Sequence, residues 1–152
     1  MGDRRKREAE AVNTVTTNMV RDGVNAVLDA AFPGVEIHGE EIKQGLKEPC
    51  FFVKLLDAAA DRELGRRYRR ILSFDIHYFG RDNREMHDVA EKLYDILDVL
   101  NVGVGAFPGM AMKHEIVGRV LHFFVDYTFL VWRQRPDDPV MGTMEQSGGL
   151  KP

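Results

Sequence analysis

Two runs of alternating apolar and polar residues dominate the chain, Arg67 to Phe79 and Val120 to Trp132. In the first, Leu72, Phe74, Ile76 and Tyr78 alternate with Ser73, Asp75 and His77, which predicts a strand with one core face and one mostly polar face. At about 3.3 Å per residue each run extends roughly 40 Å, about the full diameter of a compact chain whose radius of gyration is roughly 15 Å. At least one end of these strands is therefore expected to leave the core and to need a partner.

The remaining elements follow from the same patterning. Val12, Val15, Met19, Val27, Leu28 and Ala31 recur at helical spacing and predict a helix from about Ala9 to Ala31, weakened at Gly23 and ended by Pro33 and Gly34. A short strand, Val35 to His38, comes next. After the polar stretch Glu40 to Glu48, Pro49 opens a second strand from Cys50 to Leu56, and Asp57 to Gly65 reads as a loop. Met86, Val89, Ala90, Leu93, Leu97 and Leu100 predict a second helix over Arg84 to Leu100, with Asn83 as its cap. Asn101 to Gly109 reads as a loop. Met110 to Val117 and Val120 to Trp132 then form a hairpin turning at Gly118 and Arg119.

This order, α-β-β-β-α-β-β, predicts an α+β fold: a single mixed or antiparallel sheet with two helices packed on one face, the second helix acting as a right-handed crossover. Residues 1–133 are expected to form one domain. Residues 134–152, with Pro136, Pro139, Gly142, Gly148 and Gly149 and few apolar side chains, read as an extended C-terminal arm.

Composition narrows the function classes. The chain has 152 residues, 44% of them hydrophobic, enough for one core. A net charge of -3 with 30% charged residues gives no case for a general nucleic-acid binder. Cys50 is the only cysteine, so no intrachain disulfide is possible. The charged opening (Asp3, Arg4, Arg5, Lys6, Arg7) is followed by no apolar stretch, and neither secretion nor a membrane partner is expected.

Several blocks carry a resemblance. They are Lys47 Glu48 Pro49 Cys50 Phe51 Phe52 Val53 Lys54 Leu55; Arg67 Tyr68 Arg69 Arg70; Ser73 Phe74 Asp75 Ile76 His77 Tyr78 Phe79; Ala90 Glu91 Lys92 Leu93 Tyr94; Leu121 His122 Phe123 Phe124 Val125 Asp126 Tyr127; and Met144 Glu145 Gln146 through Gly148 Gly149. In this order, from about Glu40 onward, the chain resembles the tail terminator family of long-tailed bacteriophages and prophages. The N-terminal helix matches only in type. The resemblance implies a structural virion protein: a hexameric ring that caps the head-proximal end of the tail tube, stops tube growth and offers a surface to the head. It also implies tail tube protein and head–tail connector protein as partners, passage of DNA through the ring lumen, residence in the virion tail, assembly in the host cytoplasm, and no cofactor or reaction.

A ring needs a heterologous interface, and unpaired strand edges can continue the sheet of a neighbour. The candidate residues lie at the start of the third strand and the end of the last one. Arg67 and Arg69 face one side and Arg70 the other, with Arg62 and Arg66 nearby; the cluster reads as a solvated strand end with local ion pairs, as an intersubunit contact or, less favoured, as the lining of a lumen through which DNA passes. Phe124, Leu130 and Trp132 on the helix-free face predict an exposed patch, or else a small second core under the arm or the Asn101 to Gly109 loop. Met141 and Met144 are candidate anchors of the arm.

Catalytic and metal readings find little support. His77, Asp75, His122, Asp126 and His114 sit on neighbouring strands, but their sequence spacing fixes no ligand geometry and is read as structural. Gly103 Val104 Gly105 lacks the third glycine of a dinucleotide loop, Ser73 and Ser147 lie in no nucleophile context, and Cys50 has no histidine near it. Two other readings stay open: a head–tail connector or tail-completion protein of similar fold, and a small ligand- or nucleic-acid-binding regulatory module.

Overall fold

Helix α1 (Thr17–Ala31) starts where the Thr16 side chain accepts a hydrogen bond from the Met19 amide, and it buries Val20, Val24 and Leu28. The computed structural model describes residues 15–40, 45–103 and 105–132, so the part of the predicted first helix before Val15 lies outside the described residues. After α1 come β1 (Glu36–His38), β2 (Cys50–Arg62), β3 (Arg67–Phe79), α2 (Asn83–Ile96), β4 (Val99–Val102), β5 (Gly105–Val117) and β6 (Val120–Trp132). The strands form one sheet in the order β1-β2-β3-β6-β5-β4. The β1–β2 ladder is parallel and the other four are antiparallel.

The α+β class and its single mixed sheet are as the patterning predicts. Both helices pack on one face, where Phe51, Val53, Leu72, Phe74, Ile76, Leu121, Phe123, Val125 and Tyr127 meet α1 and the Met86, Val89, Ala90 and Leu93 stripe of α2. Burying each large side chain of this kind contributes about 1.5–3 kcal/mol. The other face of the sheet carries Asp75, His77, His122 and Phe124, and it is this face that holds the chemistry considered below.

Five expectations are corrected. The predicted loop Asp57 to Gly65 is mostly strand: β2 continues to Arg62 because β3 supplies hydrogen-bond partners along its whole length, with Ala58 opposite Leu72, Ala60 opposite Arg70 and Arg62 opposite Tyr68. A bulge between Leu55 and Asp57 shifts the register. One extra residue there breaks the period-two pattern, which is what disguised the extension in the sequence. Only Glu63 to Arg66 forms the connection, with Gly65 at a positive φ of 62°.

The second helix ends at Ile96, not Leu100. Val99 to Val102 alternates exposed and buried and pairs with Gly105 to Pro108, so the expected loop Asn101 to Gly109 contains a tight β4–β5 hairpin around Gly103. Leu97 and Leu100 are both fully buried, and their spacing mimics one more helical turn although the backbone is already turning into a strand. The cap of α2 is Asp82 and not Asn83: its carboxylate accepts from the Glu85 amide at 2.9 Å, while Glu85 reaches back to the Arg81 amide at 2.9 Å and to the Tyr78 hydroxyl at 2.7 Å. Finally, α2 leads to the far-edge strand β4, and three successive antiparallel ladders make β4 run opposite to β3, so the right-handed rule for parallel crossovers does not apply.

Candidate functional site

The two long strands end together. Arg67 pairs with Trp132 and Arg69 with Leu130, so the start of β3 and the end of β6 place two guanidinium groups beside two exposed apolar side chains. Leu130 and Trp132 are 52% and 53% exposed, although both belong to a strand whose alternate residues are buried. The β5–β6 ladder reaches only to Gly109 and Tyr127, so Thr128 to Trp132 is paired on the β3 side alone among the described residues. On the other flank, β2 from Leu56 to Arg62 is almost entirely exposed, and Leu64 at the tip is 76% exposed. The outer half of β2 thus lies outside the core, whereas the end of β6 keeps Phe129 and Val131 buried on its helix side and exposes Leu130 and Trp132 on the opposite face.

Charge at this end is organised by Glu63. Its carboxylate oxygens lie 3.2 Å from Arg67 Nε and 3.3 Å from Arg69 Nε, which fixes both arginines on the same face. Reading that segment as loop hid Glu63, but its i,i+4 spacing to Arg67 is a signal present in the sequence. The other arginines separate. Arg70, on the helix side, donates from Nε to the Ala59 carbonyl and from Nη2 to Thr17 Oγ1, each at 3.1 Å, and so ties the ribbon to the start of α1. Arg62 lies 5.3 Å above the Tyr68 ring, and Arg66 is exposed at the turn.

Phe124 is also on the helix-free face, but it is half-buried and stands six residues from Leu130, about 20 Å along the strand. Its ring stacks on His122 and lies 5.3 Å from Lys113 Nζ. The structure therefore joins Arg67, Arg69, Leu130 and Trp132 into one patch and separates Phe124, Arg62 and Arg70 from it. Met141 and Met144 lie outside the described residues, as do the C-terminal arm and the basic opening.

Of the histidines and acids considered from the sequence, Asp75, His77 and His122 converge. Asp75 Oδ2 is 2.8 Å from His77 Nε2 and 3.2 Å from His122 Nδ1, and the two imidazole rings are 4.4 Å apart. Burial pushes the Asp75 carboxyl up, but the hydrogen bonds and charge of the two histidines outweigh it and hold the group below the usual carboxylate range. Asp126 belongs to a different row, opposite Ser73. His114 lies on the helix side, bonded to the Tyr94 hydroxyl at 2.8 Å and to His87 at 3.0 Å. Cys50 is buried, and burial together with Glu48 and Glu36 raises its thiol, the opposite of what an activated nucleophile requires.

No described helix is long and apolar enough to cross a membrane. No curated protein matches the sequence. A family model described as phage tail terminator protein matches residues 19–139, a span that runs from the first turn of α1 past the end of β6. By that match the chain is a member of the phage tail terminator family.

Proposed function

We propose that this chain forms a hexameric ring on the head-proximal end of the tail tube, where it stops tube polymerisation and provides the surface that joins the head. The observation that carries the reading, beside the family, is the patch at the ends of β3 and β6: Arg67 and Arg69 next to Leu130 and Trp132, with Thr128 to Trp132 open on one side among the described residues. A monomer gains nothing by exposing a tryptophan and a leucine on a strand edge. A neighbour does, because it can extend the ladder and bury both while its carboxylates meet the arginines. The interface is heterologous, one surface meeting a different one, and such contacts generate a ring when the rotation between neighbours closes.

In this reading the work is assembly, with no reaction and no cofactor. Its partners are further copies of the chain, the tail tube protein and the head–tail connector protein; DNA passes through the lumen, and the protein resides in the tail of the virion after assembly in the host cytoplasm. Light scattering and negative-stain imaging of the purified chain test it, alone and mixed with tube protein during polymerisation. Six-fold rings and tubes of arrested length are the expected results. A monomer that leaves tube growth unchanged overturns the proposal.

A further inference from the structure

Asp75 occupies a costly position. It lies in the centre of the sheet, between Lys54 on β2 and Phe124 on β6, and only 6% of it is exposed. A carboxylate in such a place should have both oxygens satisfied, since burial without partners is strongly unfavourable. Both histidine contacts, however, go to Oδ2, and Oδ1 is buried with no hydrogen-bond partner among the described residues. Among the described residues the cluster has one more acceptor than it has donors.

We propose that Asp75, His77 and His122 bind a divalent transition-metal ion of the zinc or cobalt class on the helix-free face of the sheet. The three residues each offer one ligand atom, and all these atoms lie within 4.8 Å of one another. An ion about 2.0–2.2 Å from nitrogen and oxygen ligands places neighbouring donors roughly 3.0–3.5 Å apart, and the separations of 2.8 Å and 3.2 Å from Asp75 Oδ2 are already close to that. Two imidazoles and one carboxylate favour zinc, cobalt or nickel over calcium or magnesium, which take oxygen ligands.

Coordination takes each imidazole in its neutral form, with the proton on the ring nitrogen turned away from Asp75, Nδ1 in His77 and Nε2 in His122. The ion replaces two hydrogen bonds with three coordinate bonds, one of them to Asp75 Oδ2, and a water on its outward side supplies the donor that Oδ1 lacks. Because His77 is on β3 and His122 on β6, in direct register, the ion fastens the two central strands across their ladder.

The test uses the full chain treated with EDTA and then dialysed, titrated with Zn2+ by calorimetry and with Co2+ by visible absorption. One ion per chain, cobalt d–d bands and a melting temperature raised by several degrees at saturating Zn2+ are expected. His77→Ala and His122→Ala should each weaken binding at least tenfold, while His114→Ala, at the other histidine pair, should bind as the parent does. Circular dichroism in EDTA checks that each variant folds, and His77→Gln and His122→Gln carry the same criterion if an alanine variant does not. Absence of saturable binding overturns the proposal, and so does affinity within threefold of the parent in either the His77 or the His122 variant. The measurement is independent of ring formation, so it stands or falls apart from the assembly reading.

Discussion

The Leu97 carbonyl, at the end of α2, is pressed by two other elements, and this makes it sensitive to single atoms. The buried Tyr127 hydroxyl donates to it at 2.8 Å. Tyr127→Phe leaves that carbonyl without its partner and should cost about 1–3 kcal/mol in denaturant unfolding, the usual penalty for stranding a buried acceptor. Burial, reinforced by Asp98, also raises the Tyr127 phenol well above its ordinary value of 10.0. The neutral form is therefore favoured in the folded state: its contribution is complete below pH 10 and is lost as pH climbs beyond it. Alkaline titration of stability should show a decline starting near there, shallower in Tyr127→Phe. Gly109 touches the same carbonyl from β5, since a Cβ added to it would sit 2.5 Å from Leu97 O. Backbone cannot step aside, so Gly109→Ala should lower stability by about 1–3 kcal/mol, read from the denaturation midpoint.

Among the elements, α1 and β4 show why a glycine that weakens a helix persists in it. Gly23 costs helix stability relative to alanine, yet a Cβ there would lie 2.9 Å from Val102 Cγ2 and 3.6 Å from Leu100. Its absence lets the helix settle directly onto the edge hairpin. Gly23→Val should destabilise by about 1–3 kcal/mol despite adding apolar surface, because overpacking forces the hairpin away; thermal unfolding measures it. Sequence periodicity found β3, β6, the hairpin turn at Gly118 and the main body of α2, where apolar residues repeat without interruption. It missed the outer half of β2, where the bulge after Leu55 breaks alternation and Ala58, Ala59 and Ala60 signal no strand. It also merged β4 with α2, because Leu97 and Leu100 are buried at a spacing that helix and turn share.

For the molecule as a whole, the exposed patch at the ends of β3 and β6 separates stability from assembly. Arg67 and Arg69 form part-exposed ion pairs with Glu63, and surface pairs of this kind contribute only about 0.2–1 kcal/mol each. Arg67→Glu combined with Arg69→Glu should therefore shift the melting temperature little and abolish rings in negative stain. Unchanged rings would remove the patch from the interface. Arg70→Ala is the contrasting control: it detaches the ribbon from Thr17 and the Ala59 carbonyl, and its effect should appear as lost stability of the single chain. The arginine run thus contains two physical roles that look alike in the sequence.

That division marks where information in the chain ends. Side-chain periodicity is local, so alternation along Leu72 to Tyr78 and Leu121 to Val131 was enough to establish two strands, their buried faces and their excessive length. Ladder partners and register are long-range, and they alone decided that β2 extends to Arg62, that Trp132 stands beside Arg67, and that Asp75, His77 and His122 meet. A residue 47 positions away in the chain completes that last cluster. Pattern could place His122 on the right face, but only the pairing of β3 with β6 could place it opposite His77.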